Sequence, residues 1–117
     1  MPSMVKKDIE VGVIERDKTY FYSAAGDTLD LSDYLYVETV ICDTTSGAGT
    51  VYLPPVSEAK GLQFTITLRT DGGNDITIAD QDDSEDWSDL TAADANDTGT
   101  FRSDGTRWII VENTGLA

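Results

Sequence analysis

From Leu62 to Arg69 apolar and polar residues alternate without a break, with Leu62, Phe64, Ile66 and Leu68 set against Gln63, Thr65, Thr67 and Arg69. Side chains of an extended strand point to opposite faces in turn, so a period of two predicts a strand with one face buried. Shorter stretches carry the same signal. Ile9-Glu10-Val11-Gly12-Val13 alternates as a short strand or an extended arm. Thr19-Tyr20-Phe21-Tyr22 is β-prone through its aromatics. Leu35 to Cys42 predicts a strand with Leu35, Val37, Thr39 and Ile41 on one face. Thr50 to Leu53 starts another, and Pro54-Pro55 ends it because neither proline can donate to a ladder. Ile76-Thr77-Ile78, Thr100-Phe101-Arg102 and Arg107 to Glu112 follow, the last with Trp108 and Ile110 on one face. Leu29 to Asp33 is either a short strand or a helical turn, and Leu90 to Asn96 either a short helix or loop.

The punctuation between these stretches is that of a β-protein. Asp71-Gly72-Gly73-Asn74 reads as a hairpin joining Leu62–Arg69 to Ile76–Ile78. Asp43 to Gly49 is a loop of turn-formers, and Val56 to Lys60 predicts one helical turn capped by Gly61. Turn signals recur about every ten residues, no long helical period is present and no repeat is apparent. The expected class is all-β: an antiparallel sandwich, jelly-roll or barrel-like small domain with an N-terminal extended arm. Residues 1–18 are read as the arm or first strand, and 19–117 as the β-domain.

Charge narrows the partners. The 117 residues carry a formal net charge of −14. Binding nucleic acid requires Lys and Arg to neutralise phosphates, so a nucleic-acid partner is disfavoured, and an anionic membrane surface for the same reason. No apolar run is long enough to predict a bilayer span, and Met1 to Asp8 lacks the apolar stretch of a signal peptide. The acid is concentrated: residues 71–101 hold ten acids and no base, whereas in the last 16 residues Arg102 and Arg107 match Asp104 and Glu112. Lys6, Lys7, Arg16 and Lys18 likewise balance the acids of the first twenty residues. One end of the molecule is thus strongly solvated, and the N-terminal segment is suited to contact.

Candidate chemistry is sparse. There is no histidine, which removes the commonest general base and the commonest transition-metal ligand. The single cysteine, Cys42, excludes an intrachain disulfide and is expected to be a small buried hydrophobe. Asp80, Asp82, Asp83, Glu85 and Asp86 supply the oxygens a calcium ion takes, but the spacing fails the EF-hand pattern. A solvated acidic surface is the preferred reading of that loop. Trp87, inside it, is either an anchor folded onto the core or a contact for a partner or sugar. No carboxylate pair is singled out and no hydroxyl or thiol has a histidine to activate it. No enzyme activity, metal or cofactor is expected. Lys6 and Lys7 with Ile9, Val11 and Val13 form the stretch best suited to partner binding, since an extended arm adds a strand to an exposed sheet edge. An ordinary first strand is the equal alternative.

Thr50-Val51-Tyr52-Leu53-Pro54-Pro55, then Lys60-Gly61 and the alternating strand, resembles a module of tailed-bacteriophage virion proteins. Ser103-Asp104-Gly105-Thr106-Arg107-Trp108-Ile109-Ile110 is similar to the strand that closes that module. The resemblance covers roughly residues 35–112 and is shared with tail-fibre and spike segments. Lacking shaft repeats, the chain looks most like a small capsid decoration (cement) protein. The resemblance implies a homotrimer bound to the major capsid protein on the outside of the expanded shell, made in the host cytoplasm. The arm would grip the shell or a sister subunit. The alternative it implies is a receptor-binding, carbohydrate-binding head of a tail fibre, with Trp87 and Tyr52 as exposed contacts.

Overall fold

The computed structural model describes residues 18–117. Among these, nine strands build two mixed sheets, and the only helical segment is a 3-10 turn, Leu31–Asp33. The strands are β1 (Thr19–Ser23), β2 (Asp27–Asp30), β3 (Thr39–Asp43), β4 (Gly49–Tyr52), β5 (Gln63–Thr70), β6 (Ile76–Ala79), β7 (Leu90–Ala92), β8 (Thr98–Ser103) and β9 (Trp108–Thr114). One sheet has the order β9-β8-β5-β3-β1, the other β2-β4-β6-β7.

The expected all-antiparallel arrangement is corrected. β1/β3, β3/β5, β2/β4 and β4/β6 are parallel, and only β6/β7, β5/β8 and β8/β9 are antiparallel. The chain alternates between the sheets from β1 to β6, so each return to a sheet lays a strand parallel to the last one there. Parallel neighbours need a crossover connection, and here a strand of the opposite sheet supplies it.

This winding exposes a repeat that is not visible along the sequence. Thr19, Thr39 and Thr65 are register partners in one sheet, and Thr28, Thr50 and Thr77 in the other. Each threonine precedes a buried or half-buried residue: Tyr20, Val40 and Ile66, then Leu29, Val51 and Ile78. The coils differ in length, positions 19, 39 and 65 being unequally spaced, so no fixed period betrays them. Thr100 extends the first row through a hydroxyl hydrogen bond to Thr65 at 3.0 Å, and two residues along Thr67 and Thr98 make a similar pair at 2.7 Å.

Two local expectations change with it. Asp71–Asn74 is not a hairpin, because β5 and β6 lie in different sheets. It is an arch stacked on the preceding one: the N–H of Gly72 donates to Thr44 Oγ1 at 3.0 Å and Asn74 Nδ2 to the Thr44 carbonyl at 3.0 Å. In β3 it is Val40 and Cys42 that are buried, while Thr39 and Ile41 are half-buried on the opposite face. Leu35 precedes the strand and is exposed. Val37, of the expected face, is buried, but ahead of the strand. The strand therefore begins later than predicted, and within it, with period two, the other set of side chains turns inward.

The core lies between the sheets, with Phe64, Ile66 and Leu68 of β5 and Phe101 of β8 facing Val51 and Ile78 of the other sheet within one apolar cluster. Each such side chain, fully buried, contributes about 1.5–3 kcal/mol. Cys42 is fully buried in the same cluster, and burial pushes its thiol up to about 12.

Candidate functional site

The acidic loop between β6 and β7 is organised by its own carboxylates. Asp80 is buried and accepts from the N–H of Asp82 and of Ser84, both at 3.1 Å. Asp83 Oδ2 accepts from the Val56 N–H at 2.9 Å, and Ser84 Oγ from the Trp108 N–H at 2.8 Å. Asp82 and Asp86 take left-handed backbone conformations, which short polar side chains tolerate. The loop thus clamps the corner after β4 and the start of β9. Among the described residues no three carboxylates or other ligand groups gather to hold a metal ion.

Trp87 is half-buried and packs against the apolar core, as an anchor of the loop would. Its ring meets Phe101 edge-on with centroids 5.8 Å apart, and its Nε1 is enclosed without a hydrogen-bond partner among the described residues. Tyr52 is half-buried at the end of β4, in register with Asp30 and Ala79. The more exposed aromatics are Phe21 of β1 and Tyr36 before β3, each 67% exposed. Phe21 sits in an apolar run without alternation; Tyr36 fell on the face opposite Leu35 and Val37 of the expected strand, but lies in a turn that precedes β3. The arm candidates Lys6, Lys7, Ile9, Val11 and Val13 lie outside the described residues.

Two surfaces remain open to a partner. The first is a groove of about 650 Å³ at one end of the five-stranded sheet, lined among others by Leu35, Tyr36, Leu62, Gln63 and Arg102. Lys18, where the described chain begins, forms its rim and pairs with Glu38 at 3.3 Å. Arg102 donates to the Gly61 carbonyl at 3.2 Å across the groove's floor.

The second is the outer edge strand β9. Trp108 is buried, and its Nε1 donates to the Pro54 carbonyl at 3.2 Å. Beyond it Ile109, Ile110 and Val111 are exposed in succession. β9 pairs only with β8 among the described strands, and its register slips between Ile110 and Glu112, a bulge that leaves Val111 outside the ladder. Ile110 shares the inward parity of Trp108, yet it is 42% exposed. Three adjacent apolar residues on an uncovered edge are unusual, since native edges are ordinarily short, charged or covered.

Compared with protein-family models and with curated proteins, the chain matches none.

Proposed function

We propose that this chain is a structural protein of a tailed-phage virion that binds the outer surface of the capsid and stabilises the expanded shell. The observation that carries the reading is a joint between the two halves of the resemblance. The Leu53-Pro54-Pro55 corner and the Ser103–Ile110 closing element touch directly: Trp108 Nε1 donates to the Pro54 carbonyl, Ser103 Oγ to the Val56 carbonyl at 2.6 Å, and the Gly61 N–H to the Ser103 carbonyl at 2.8 Å. That motifs so far apart in sequence form one joint supports reading them together as one module.

In this reading the two sheets make a sandwich-like body and residues 1–18 an arm that holds the shell or a sister subunit. The copies group in threes, as the resemblance implies. Bridging capsid subunits adds contacts that exist only in the assembled shell, so binding shifts the shell's stability by mass action. The acidic loop faces solvent.

Co-sedimentation of the purified protein with undecorated, expanded heads tests the reading. Saturable pelleting at a fixed ratio per capsid is expected, and its loss on deleting residues 1–16 from a body that stays folded. Absence of pelleting by the intact, folded chain overturns it. A second reading, a carbohydrate-binding head of a tail fibre, draws on the groove, where exposed Tyr36 stands with Gln63 and Arg102, an aromatic face beside planar polar groups. Glycan binding abolished by Tyr36→Ala, without pelleting on heads, is its signature.

A further inference from the structure

We infer that β9 is a self-association site, in which a second copy of this chain pairs antiparallel to it across a two-fold axis. The inference goes beyond the capsid reading and does not rest on it.

The sequence of the strand is self-complementary. Arg107-Trp108-Ile109-Ile110-Val111-Glu112 runs from a cation through four apolar residues to an anion. Arg107 and Glu112 are both exposed. Because the bulge leaves Val111 outside the ladder, Glu112 returns to the outer face that Ile109 occupies. An antiparallel partner centred on Ile109 then sets each Arg107 beside the Glu112 of the other copy, Trp108 opposite Ile110 and Ile109 opposite its own counterpart. A parallel partner would set like charges side by side, which is destabilising. Among the described residues the Arg107 side chain makes one loose ion pair, 3.9 Å from its Nε to Asp104.

Charge elsewhere on the molecule favours the same face. A second copy brings another formal charge of −14, so it is repelled wherever acid is in excess. Residues 102–117 are the balanced part of the body, Arg102 and Arg107 against Asp104 and Glu112. A basic partner would instead be drawn to the acids of residues 71–101. The strand also offers what edge pairing needs: an edge unpaired among the described strands, and apolar side chains on it that a second sheet would shield from water. The bulge at Val111 is the opposing feature, since bulges also serve to blunt edges.

The test is the mass of the full chain in solution, by sedimentation velocity and light scattering across the micromolar range. A dimer is expected, becoming in Ile110→Lys a monomer that still melts cooperatively, with a melting temperature that no longer depends on protein concentration. Arg107→Glu or Glu112→Arg alone raises the dimer dissociation constant about tenfold, by placing like charges opposite twice over. Mixing the Arg107→Glu and Glu112→Arg chains restores a heterodimer, which a merely structural role for either residue would not produce. A chain lacking residues 1–16 remains a dimer. The inference is overturned by a monomer at every concentration, in which case the bulge guards the edge. A trimer, or any assembly whose mass survives Ile110→Lys or fails on removing residues 1–16, also overturns it. A trimer would favour the grouping in threes of the capsid reading over a two-fold contact at β9, while pelleting with heads tests the capsid reading by itself, so the failure of one proposal is distinguishable from the failure of the other.

Discussion

Trp108 donates its indole N–H to the carbonyl oxygen of Pro54, 3.2 Å away and 54 residues back along the chain. Pro54 is the residue at which β4 must stop, so its carbonyl can join no ladder beyond it, and the indole of β9 takes it instead. Phe64 stacks on the same ring, with centroids 6.0 Å apart. The strand end, the alternating strand and the closing strand thus meet at one side chain.

The two tryptophans should therefore respond differently to the same change. Trp108→Phe leaves the buried Pro54 carbonyl unpartnered and opens a void, at a cost of about 2–4 kcal/mol. Trp87→Phe removes an enclosed N–H that has no partner among the described residues and should cost under about 1.5 kcal/mol. Equilibrium urea unfolding of both variants checks the order. Equal losses would mean that the Pro54 bond contributes nothing.

Stacking of the arches makes a matching prediction for neighbouring glycines. A Cβ on Gly72 would lie 2.3 Å from Thr45 Cα, and backbone cannot step aside. Gly73 has a φ of +93° but open space around it. Gly72→Ala is expected to cost about 2–3 kcal/mol. Gly73→Ala is expected to cost about 1 kcal/mol, from backbone strain alone. Thermal melts of the pair decide it.

Alkaline pH should destabilise the fold through Cys42. Burial holds its thiol at about 12, above the value of about 8.5 for an exposed cysteine. Its contribution is complete below the unfolded value and is lost as pH rises through the folded one. In that window stability falls by about 1.4 kcal/mol per pH unit for this one proton. Cys42→Ala should flatten the slope between those limits, whatever it does to stability at neutral pH.

Tyr22 and Asp27 make the acid-side counterpart. The Tyr22 hydroxyl donates to Asp27 Oδ1 at 2.7 Å. This bond, with the Ala25 N–H, holds the Asp27 carboxyl below its ordinary value. Burial first, then the same bond, raises the Tyr22 phenol. Asp27 therefore stabilises the fold above the normal carboxylate range and ceases to as pH falls through its lowered value. Titration of Asp27 by NMR should show its midpoint moving up in Tyr22→Phe. An unmoved midpoint would assign the depression to backbone donors alone.

Much of the body follows from the chain by itself. Alternation is a local property of extended backbone, so β5 and its buried face of Phe64, Ile66 and Leu68 can be read from eight residues. The prolines that stop β4, the solitary buried cysteine and the segregation of acid between residues 71 and 101 were legible in the same way. Tertiary structure decided which strands meet. The parallel pairing of β1, β3 and β5 depends on arches that send the chain to the opposite sheet. Those arches are set by contacts such as Gly72 on Thr44, made between residues far apart in sequence. The inward face of β3 was decided the same way, because in an apolar run such as Val40-Ile41-Cys42 only the facing sheet selects which side chains turn in. The exposure of Ile109, Ile110 and Val111 is likewise invisible in a sequence that reads as a buried strand. It belongs to a strand that, among the described strands, pairs on one side only, a property set by which strands come together in space.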